Sequence, residues 1–404
     1  MIFDIIYYIV NHGVLMKGVT AVKKIMIMIN GLYSGGAEKV LQTVLNNLDY
    51  SEFDVTLYSM HQRYLDPAVF KNKDKIKYKA VFSEYNGVSS LLKKVFGFSL
   101  KVKGKLFKYL PPSLFRMLYI RGRFDTEIAF LEGEATKIVS GSLNKKTRKI
   151  AWVHTDMIKN NWTDYLYSDS AEEAKAYKKF DRIVCVSESV KNAFIKKYGI
   201  SDNVTVKYNP VDSDEILLKS KEKIHIKAEN RPLIISTGRL EQPKGYPRLC
   251  ECACRLKKEG YDFTLWILGD GTQRKQLEDY IEENRLAGTI SLLGFDRNPY
   301  KYMAAADAFI CSSYIEGFST AATESIILGK PVYTVDCSGM KELFGNENCG
   351  EITENTDEAL YLLLKRAATD RNAMAEYTKS AERRSEFFDI RKRMSDIENV
   401  FRGE

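Results

Sequence analysis

Residues 307–328 read DAFICSSYIEGFSTAATESIIL, and this stretch decides the fold. Residues 308–311 are apolar and predict a buried strand, whereas residues 321–328 predict a helix. A turn of small residues between them carries Glu316, and Glu324 lies about one and a half turns into the helix. In an open α/β sheet, ligands bind in such loops at the carboxyl ends of strands. The carboxylates are therefore candidates for binding hydroxyl groups, and the start of the helix for binding an anion.

The strand–loop–helix pattern recurs through the first half of the chain. Residues 23–30 predict a strand, residues 31–36 a glycine-rich turn, and residues 37–48 a helix with apolar residues at helical spacing. Four more strands are predicted, at 53–60, 127–131, 150–153 and 182–187. Alternating strands and helices of this kind form parallel sheets.

A second series of strands and helices begins after residue 212. Its strands are predicted at 233–237, 264–268, 290–293, 308–311 and 332–335. At 404 residues, two domains are expected. The chain is thus predicted to be α/β, with two doubly wound, Rossmann-like domains, 1–212 and 213–380, facing each other across a ligand-binding cleft. A charged helical tail is predicted over 372–402, and residues 381–404 are expected to pack back on the first domain.

The composition is typical of a soluble globular protein, with 45% hydrophobic and 28% charged residues. The net charge of +8 suits an anionic ligand, an anionic membrane or plain solubility. Seven cysteines without a C-x-x-C spacing favour a reduced, cytoplasmic protein over a disulfide-bonded or zinc-binding one. The apolar residues 1–16 are too short to span a membrane and lack the marks of a signal peptide, so we expect an upstream start codon or a weak membrane-surface contact.

Three further motifs accompany the carboxylate pair. They are GGAE at 35–38, GRLEQPKG at 238–245 and LGDG at 268–271. Together with EGF at 316–318 and Glu324, they resemble glycosyltransferase family 4, which has the GT-B fold. The resemblance implies a retaining, nucleotide-sugar-dependent enzyme whose first domain binds the acceptor and whose second domain binds the donor. Residues 60–125 match none of its motifs, as expected of the family's variable acceptor domain.

Arg239 and Lys244 follow a predicted buried strand and are the candidate catalytic cations. A nucleotide-sugar releases a diphosphate, which leaves more readily when its charge is neutralised. Arg offers a planar fork of donors and Lys a point charge, and both act most strongly where charge grows in the transition state. Two solvated basic residues are the alternative, which the flanking Gly238 and Gly245 disfavour.

The two carboxylates have separate roles in the resemblance. Glu316 resembles the family glutamate that contacts the donor sugar, with the backbone of Gly317, Phe318 and Ser319 beside it. Glu324 resembles the residue that binds the ribose hydroxyls, which supply the donors that a buried carboxylate needs. The alternative is a glutamate that favours the helix dipole, which explains Glu324 in part and Glu316 poorly.

His154 and Asp156 lie just past the end of a predicted strand. The family often has a histidine here, beside the donor sugar and the acceptor. His154 is therefore a candidate catalytic and acceptor-binding residue, with Asp156 a weaker acceptor contact, and a structural histidine is the alternative. Gly35 and Gly36 allow a ligand to approach the backbone before a helix start, with a plain tight turn as the alternative.

The residues predicted to contact the donor come from both halves of the chain. They are Gly35, Gly36, Gly238, Arg239, Lys244, Gly269, Gly294, Phe295, Glu316, Gly317, Phe318, Ser319 and Glu324. No metal is expected, because the basic pair supplies the positive charge. The D-x-D pattern at 212–214 is interpreted as a helix cap. No other cofactor is expected, since the nucleotide-sugar is a co-substrate.

Residues 89–123 carry nine Lys or Arg residues and no Asp or Glu, interleaved with apolar residues. This composition is typical of a segment that lies on an anionic membrane, which suits a lipid-linked acceptor. Nucleic-acid binding can use the same charges, and a solvated basic face is the plainest alternative. We expect a membrane partner and no nucleic acid, and hence a cytoplasmic protein at the inner face of the cell membrane.

The resemblance thus implies a retaining glycosyltransferase that moves a hexose or N-acetylhexosamine from a UDP-sugar to a hydroxyl of a lipid-linked or surface polysaccharide intermediate. Two alternatives stay open: a sugar-nucleotide epimerase or hydrolase on the same fold, and a non-catalytic partner subunit. The intact Arg239, Lys244, Glu316 and Glu324 argue against the partner subunit. The donor sugar, the acceptor and the linkage are left open.

Overall fold

A computed structural model describes residues 22–32, 35–61, 66–82, 107, 110–224 and 231–404. The apolar segment 1–16, most of 89–123 and part of the glycine turn at 31–36 lie outside these ranges. The described chain forms two sheets, and the neighbouring strands in both are parallel. The prediction of an α/β protein with two doubly wound sheets is confirmed.

The strands of the first sheet are β1 (Lys23–Ile29), β2 (Phe53–His61), β3 (Ile76–Phe82), β4 (Thr126–Ala129), β5 (Arg148–Val153), β6 (Arg182–Cys185) and β7 (Val204–Val206). The strands of the second are β8 (Leu233–Thr237), β9 (Thr264–Leu268), β10 (Ile290–Gly294), β11 (Ala308–Cys311), β12 (Val332–Val335) and β13 (Gly350–Thr353). Their orders are β3-β2-β1-β4-β5-β6-β7 and β10-β9-β8-β11-β12-β13.

Helices connect the strands. They are α1 (Gly36–Asn47), α2 (Pro112–Tyr119), α3 (Glu134–Ser140), α4 (Ser170–Tyr177), α5 (Glu188–Tyr198), α6 (Ser213–Lys219), α7 (Tyr246–Lys258), α8 (Arg274–Glu283), α9 (Tyr300–Ala305), α10 (Thr320–Ile327), α11 (Met340–Phe344), α12 (Asp357–Thr369), α13 (Arg371–Ser385) and α14 (Ile390–Arg402). Within the part of the chain that the structure describes, no helix is both long and apolar enough to cross a lipid bilayer.

Burial explains why the central strands are so apolar. Residues 25–29 of β1 are completely buried, as expected of a parallel sheet that is covered on both faces. In α1, the buried residues are Val40, Leu41, Val44 and Leu45, at helical spacing, and they form the face that packs on the sheet. This strand–turn–helix unit places the glycine turn at the carboxyl end of β1.

The sequence patterns miss three strands, β3, β7 and β13, and agree with the other ten to within two residues at each end. Each missed strand lies at an edge of its sheet. An edge strand is only partly covered, and in β7 all three residues are partly exposed. The continuous apolar run that identifies a central strand is therefore absent from these edges.

The charged tail forms two helices, whereas the sequence pattern predicts one helical stretch over 372–402. A 3-10 turn at Glu386–Phe388 separates α13 from α14. Asp389 then caps α14, because its carboxylate accepts the Lys392 N–H at 3.0 Å. Periodicity alone does not show whether an aspartate in a charged helical segment continues the helix or caps a new one.

The last helix packs on the first sheet. The Phe401 ring lies edge-on to the rings of Phe53 and Trp152, with centroids 6.1 Å apart in both cases. Arg402 pairs with Glu52 at 2.6 Å. The chain thus returns from the second sheet to the first, while the domain limits at residues 212 and 380 stay predictions.

Candidate active site

Three glycines line the carboxyl ends of β8, β9 and β10. Gly238 donates its N–H to the Leu268 carbonyl at 3.0 Å, and Gly269 donates to the Gly294 carbonyl at 2.8 Å. A side chain at Gly269 would collide with the Gly238 carbonyl, so only glycine allows this approach of the two backbones. Phe295 follows and is 63% exposed. These predicted donor residues therefore form a continuous backbone surface beside an open aromatic ring.

Lys244 and Glu316 form an ion pair beyond the ends of β8 and β11. Lys244 closes a 3-10 turn at Gln242–Lys244, and Gly245 follows with a φ of +66°. The Lys244 Nζ lies 2.6 Å from Glu316 Oε1, which also accepts the Ser313 hydroxyl at 2.6 Å. The side chains are 27% and 11% exposed, so the pair is shielded but can still be reached.

The cation of this pair stays charged. Burial is the largest influence on the pKa of the Lys244 ammonium and would lower it, but the charge of Glu316 and the smaller contributions of other neighbours together raise that pKa above its usual range. Glu316 takes one of the three ammonium N–H groups, which leaves two for another acceptor. The arrangement can therefore hold a phosphate oxygen next to a carboxylate.

Arg239 follows Gly238 and is exposed. Its charge acts on Glu38, in the first turn of α1: burial raises the pKa of that carboxyl, and Arg239 opposes the rise. The Glu38 carboxylate lies over Gly35, where it would meet a side chain. The predicted position of Glu38 in the first helical turn is confirmed. Arg239 and the start of α1 thus both favour negative charge in this part of the cleft.

Glu324 lies inside α10 and is only 3% exposed. Its Oε1 accepts a hydrogen bond from Lys39 Nζ at 2.5 Å, and the two residues are 285 positions apart. Lys39 lies on α1, and its Nζ is 4.9 Å from the centroid of the Tyr300 ring. Burial is the largest influence on the pKa of Lys39 and would lower it, but the charges and hydrogen bonds of Glu324 and Tyr300 together raise that pKa. The predicted ribose-binding carboxylate thus has a cationic partner from the first domain.

His154 lies directly after β5. Its Nε2 is 3.0 Å from the Phe130 carbonyl oxygen. A carbonyl can only accept, so Nε2 carries the hydrogen and Nδ1 carries the lone pair. Burial lowers the pKa of the imidazole to about 4. At neutral pH, His154 is therefore an uncharged hydrogen-bonding group.

Glu132 holds the backbone of the His154 loop. Its Oε1 accepts the N–H groups of His154 at 2.5 Å and Thr155 at 2.9 Å. The residue is completely buried, and its Oε2 has no hydrogen-bond partner among the described atoms. Burial raises the pKa of this carboxyl to about 7. A carboxylate that the sequence analysis did not single out thus positions a predicted active-site residue.

Asp156 is buried with both carboxylate oxygens engaged. Its Oδ1 accepts the N–H groups of Ile158 and Lys159 at 3.0 and 3.1 Å, and its Oδ2 accepts the Ser338 hydroxyl at 2.9 Å. This carboxylate therefore shapes its own loop and joins it to the second domain. Its contact with an acceptor stays a prediction.

The two halves of the predicted site meet in the cleft. A Cβ at Gly36 would lie 3.7 Å from Thr320 Oγ1, at the start of α10. A side chain at Gly317 would collide with the His154 carbonyl, so these two backbones are in contact. The Gly317 carbonyl also accepts the Ser187 hydroxyl at 3.0 Å. The first domain therefore closes directly on the loop that follows β11.

The side chains of Phe318 and Ser319 support the loop. The Phe318 ring is buried, with its centroid 5.2 Å from that of Tyr208. Ser319 caps α10, because its hydroxyl accepts the Ala322 N–H at 3.4 Å. Both side chains are therefore buried in support of the loop, and the donor contact of these two residues stays a prediction.

Two family models match the chain and together span most of it. Residues 34–215 match "Glycosyltransferase Family 4", and residues 218–384 match "Glycosyl transferases group 1". The chain is also 30% identical over 379 residues to a Campylobacter jejuni enzyme, N-acetylgalactosamine-N,N'-diacetylbacillosaminyl-diphospho-undecaprenol 4-alpha-N-acetylgalactosaminyltransferase, covering 91% of this chain and 96% of the relative. The chain belongs to glycosyltransferase family 4. The resemblance noted in the sequence is thereby confirmed, and the protein is a glycosyltransferase.

Solved structures show the same fold. The glycosyltransferase is similar to HepE of Anabaena in complex with UDP and glucose, with a TM-score of 0.69 and 18% identity over 95% of this chain and all of that one. It is also similar to sucrose-phosphate synthase from Thermosynechococcus elongatus, with a TM-score of 0.74 and 14% identity over 94% and 98% of the two chains. The predicted GT-B fold is confirmed.

A third carboxylate ties the two domains of the glycosyltransferase together. Glu342, on α11, accepts the N–H groups of Glu188 at 2.6 Å and Ser189 at 2.9 Å, at the start of α5. It also accepts the Tyr208 hydroxyl at 3.2 Å. A side chain of the second domain thus caps a helix of the first, on the side of the cleft where Ser187 meets Gly317.

The D-x-D pattern acts as a cap, as interpreted from the sequence. Asp212 Oδ1 accepts the Glu215 N–H at 2.9 Å at the start of α6, and Asp212 also lies near Lys71. Across the described residues, no three His, Cys, Asp or Glu side chains are grouped as metal ligands would be.

Sequence reasoning misses Lys39, Glu132 and Glu342. The first two had a usable signal, because Lys39 directly follows the GGAE motif and Glu132 follows the predicted strand at 127–131. Glu342 lies in a short helix outside any motif. The tertiary structure identifies all three by the residues that they contact.

Proposed function

We propose that this glycosyltransferase moves a hexose or N-acetylhexosamine from a UDP-sugar to a hydroxyl of a lipid-linked or surface polysaccharide intermediate, with retention at the anomeric carbon. The observation that carries the proposal is the Lys244–Glu316 pair, which holds a cation beside a carboxylate at the strand ends. The name of the C. jejuni relative specifies a diphospho-undecaprenol acceptor. HepE holds UDP and glucose. Both support the proposed substrate classes.

The donor would lie along the second sheet. Arg239 and Lys244 bind its diphosphate, and Glu316 accepts a hydrogen bond from a sugar hydroxyl. The ribose hydroxyls donate to Glu324, whose Lys39 contact uses only Oε1. The exposed Phe295 ring provides a face for the base. This order follows the glycine-lined strand ends, where backbone lets a ligand approach closely.

In the proposed step, the bond between the anomeric carbon and the diphosphate oxygen breaks, and a bond forms from that carbon to the acceptor hydroxyl oxygen on the same face. The hydroxyl proton passes to the departing diphosphate. Arg239 and Lys244 stabilise the diphosphate as its charge grows. Glu316 is held by Lys244 and Ser313, which favours a role as hydrogen-bond acceptor over that of a covalent nucleophile.

His154 serves in this proposal as a neutral hydrogen-bond acceptor. Its Nε2–H is committed to Phe130, and Nδ1 offers a lone pair to a substrate hydroxyl. Because burial lowers the pKa of the ring to about 4, it positions a hydroxyl rather than accepting its proton at neutral pH. No metal takes part, since the two cations neutralise the diphosphate.

The acceptor would reach the first domain from an anionic membrane surface. α2 buries Phe115 but exposes Leu114, Met117 and Leu118, the last two by 61% and 50%. This helix lies within the basic and apolar segment 89–123, and an apolar face flanked by cations is what an interfacial helix needs. The enzyme would then act in the cytoplasm, at the inner face of the membrane.

The decisive experiment is a donor and acceptor screen. UDP-sugars and GDP-sugars are incubated with the enzyme, with and without a polyisoprenyl-diphosphate glycan and with and without EDTA. We expect UDP release that requires the acceptor and is unchanged by EDTA, with the donor's anomeric configuration retained in the product by NMR. An altered free sugar-nucleotide would indicate an epimerase, and release without acceptor a hydrolase. Absence of nucleotide binding would indicate a non-catalytic subunit.

Membrane contact is tested with Met117→Ser and Leu118→Ser combined. We expect the variant to sediment several-fold less with anionic vesicles at low salt, because the apolar contact is lost. Leu218→Ser is the matched control, since Leu218 is 70% exposed on α6, far along the chain. Equal sedimentation of both variants and the wild type would remove the membrane from the proposal.

A further inference from the structure

The donor domain's most buried candidate ligand, Glu324, is completed by a residue of the other domain. Lys39 on α1 reaches across the cleft to Glu324 Oε1 at 2.5 Å, and its Nζ also lies over the Tyr300 ring. We infer that Lys39 is a positioning residue for nucleotide binding: it holds Glu324 as an oriented carboxylate and links donor binding to closure of the cleft. This inference rests on the proposed function.

Burial makes the partner necessary. Glu324 is 3% exposed, and a carboxylate removed from water is strongly destabilised unless a cation or several donors compensate it. Among the described side chains, Lys39 is the hydrogen-bond donor that Glu324 receives. Because Lys39 occupies Oε1 alone, Oε2 is left to accept a hydroxyl. A lysine and a ribose can therefore share the carboxylate.

The contact depends on both domains being together. Lys39 is carried by α1, whose apolar face belongs to the first sheet, whereas Glu324 is carried by α10, next to β11 of the second. The preceding residue, Glu38, interacts electrostatically with Arg239 of the second domain. The first turn of α1 thus places the acidic Glu38 near Arg239 and the basic Lys39 next to Glu324, in both cases across the cleft. Opening the cleft would leave all four without these partners.

Titratable groups on two neighbouring helices face the Glu324 carboxylate. They are Lys39 on α1 and Tyr300 on α9, with Glu215 on α6 acting on Tyr300 from further away. Burial raises the pKa of Tyr300 above its usual range, so that phenol stays neutral. Without Lys39, no described cation is in contact with Glu324, and a buried, unpaired carboxylate takes up a proton more readily.

The test measures UDP affinity by calorimetry at pH 8 and pH 6 for the wild type, Lys39→Met, Lys39→Arg and Lys39→Met/Glu324→Gln. We express each affinity relative to the wild type at the same pH, so that titration of the nucleotide cancels. For Lys39→Met we expect the relative loss to be several-fold greater at pH 6 than at pH 8, because protonation of an unpaired, buried carboxyl group removes an acceptor for the ribose hydroxyls. Lys39→Arg should retain most of the wild-type affinity. For the double variant, the affinity ratio to the wild type should not change with pH.

The matched control is Lys71→Met, which removes a more exposed lysine paired with Glu215 at 2.7 Å. It should bind UDP like the wild type at both pH values. A Lys39→Met variant that unfolds at the wild-type temperature and shows a pH-independent affinity ratio would overturn the inference. Wild-type protein that binds none of UDP, GDP and ADP would instead overturn the proposed function, and this inference with it.

Discussion

Two lysine–glutamate pairs lie in the cleft and differ in one respect. Lys244–Glu316, at 2.6 Å, joins two loops of the same sheet, whereas Lys39–Glu324, at 2.5 Å, joins the two domains. The first pair is preorganised by its own domain. The second pair depends on the contact between the two domains. In the proposed function, the first pair acts on the leaving group, whereas the second pair assembles its binding site.

Breaking the first pair should have the largest effect. In Lys244→Ala we expect kcat to fall about a hundredfold to a thousandfold, the usual cost of removing one donor that acts on developing charge. Initial rates at saturating donor and acceptor measure it. Lys275→Ala is the control, because Lys275 is an exposed lysine whose partner, Asp279, lies at 2.9 Å. Near-normal turnover in Lys244→Ala would contradict the site assignment.

Glu132→Gln tests a carboxyl group whose contacts lie within one domain, in contrast to the cross-domain Lys39–Glu324 pair. Glutamine keeps an oxygen for the His154 and Thr155 N–H groups and removes the buried charge. The folded-state pKa of Glu132, about 7, lies above its ordinary 4.5, so the folded chain retains a proton that the unfolded chain has released. The wild type should therefore lose stability relative to the variant as pH rises from about 4.5 to about 7, by roughly 3 kcal/mol at most.

Unfolding midpoints at pH 4.5 and pH 8 measure this difference. Titration of His154, whose pKa is lowered to about 4, is common to both proteins and cancels between them. Wild-type and variant midpoints that change in parallel with pH would show that the Glu132 carboxyl does not titrate in this range.

Glu342→Ala breaks a cross-domain contact away from the donor. The start of α5 keeps Ser187 as its cap but loses the acceptor of its Glu188 and Ser189 N–H groups. Loss of such an acceptor costs about 1 kcal/mol, so closure should weaken by roughly fivefold. A fluorescence-transfer pair on the two domains, read without nucleotide, reports the population of closed molecules. Glu347→Ala removes an exposed partner of Arg383 and should leave closure unchanged. Equal closure in both variants would show that Glu342 does not contribute to closure.

The sequence predicts the second domain better than the cleft. Its five predicted strands are present, because central parallel strands are continuous apolar runs, and Lys244 and Glu316 follow β8 and β11 as expected. Three edge strands, β3, β7 and β13, and the break before α14 are missed, because partial exposure interrupts the apolar run of a strand and a capping aspartate resembles a helical residue. Asp156 is assigned to an acceptor on position alone, whereas its oxygens bind Ser338 and two backbone N–H groups.

By itself, the sequence determined the family, the GT-B fold and the residues that follow the strand ends, because periodicity and short motifs are local properties of the chain. Only the tertiary structure decided that Lys39 belongs to Glu324 and that Glu342 belongs to the start of α5, across 285 and 153 residues. It also decided which carboxyl groups are buried, and burial changes their affinity for protons. The local spacing of residues predicts neither the cross-domain contacts nor the burial of the carboxyl groups, because both depend on how the two sheets face each other.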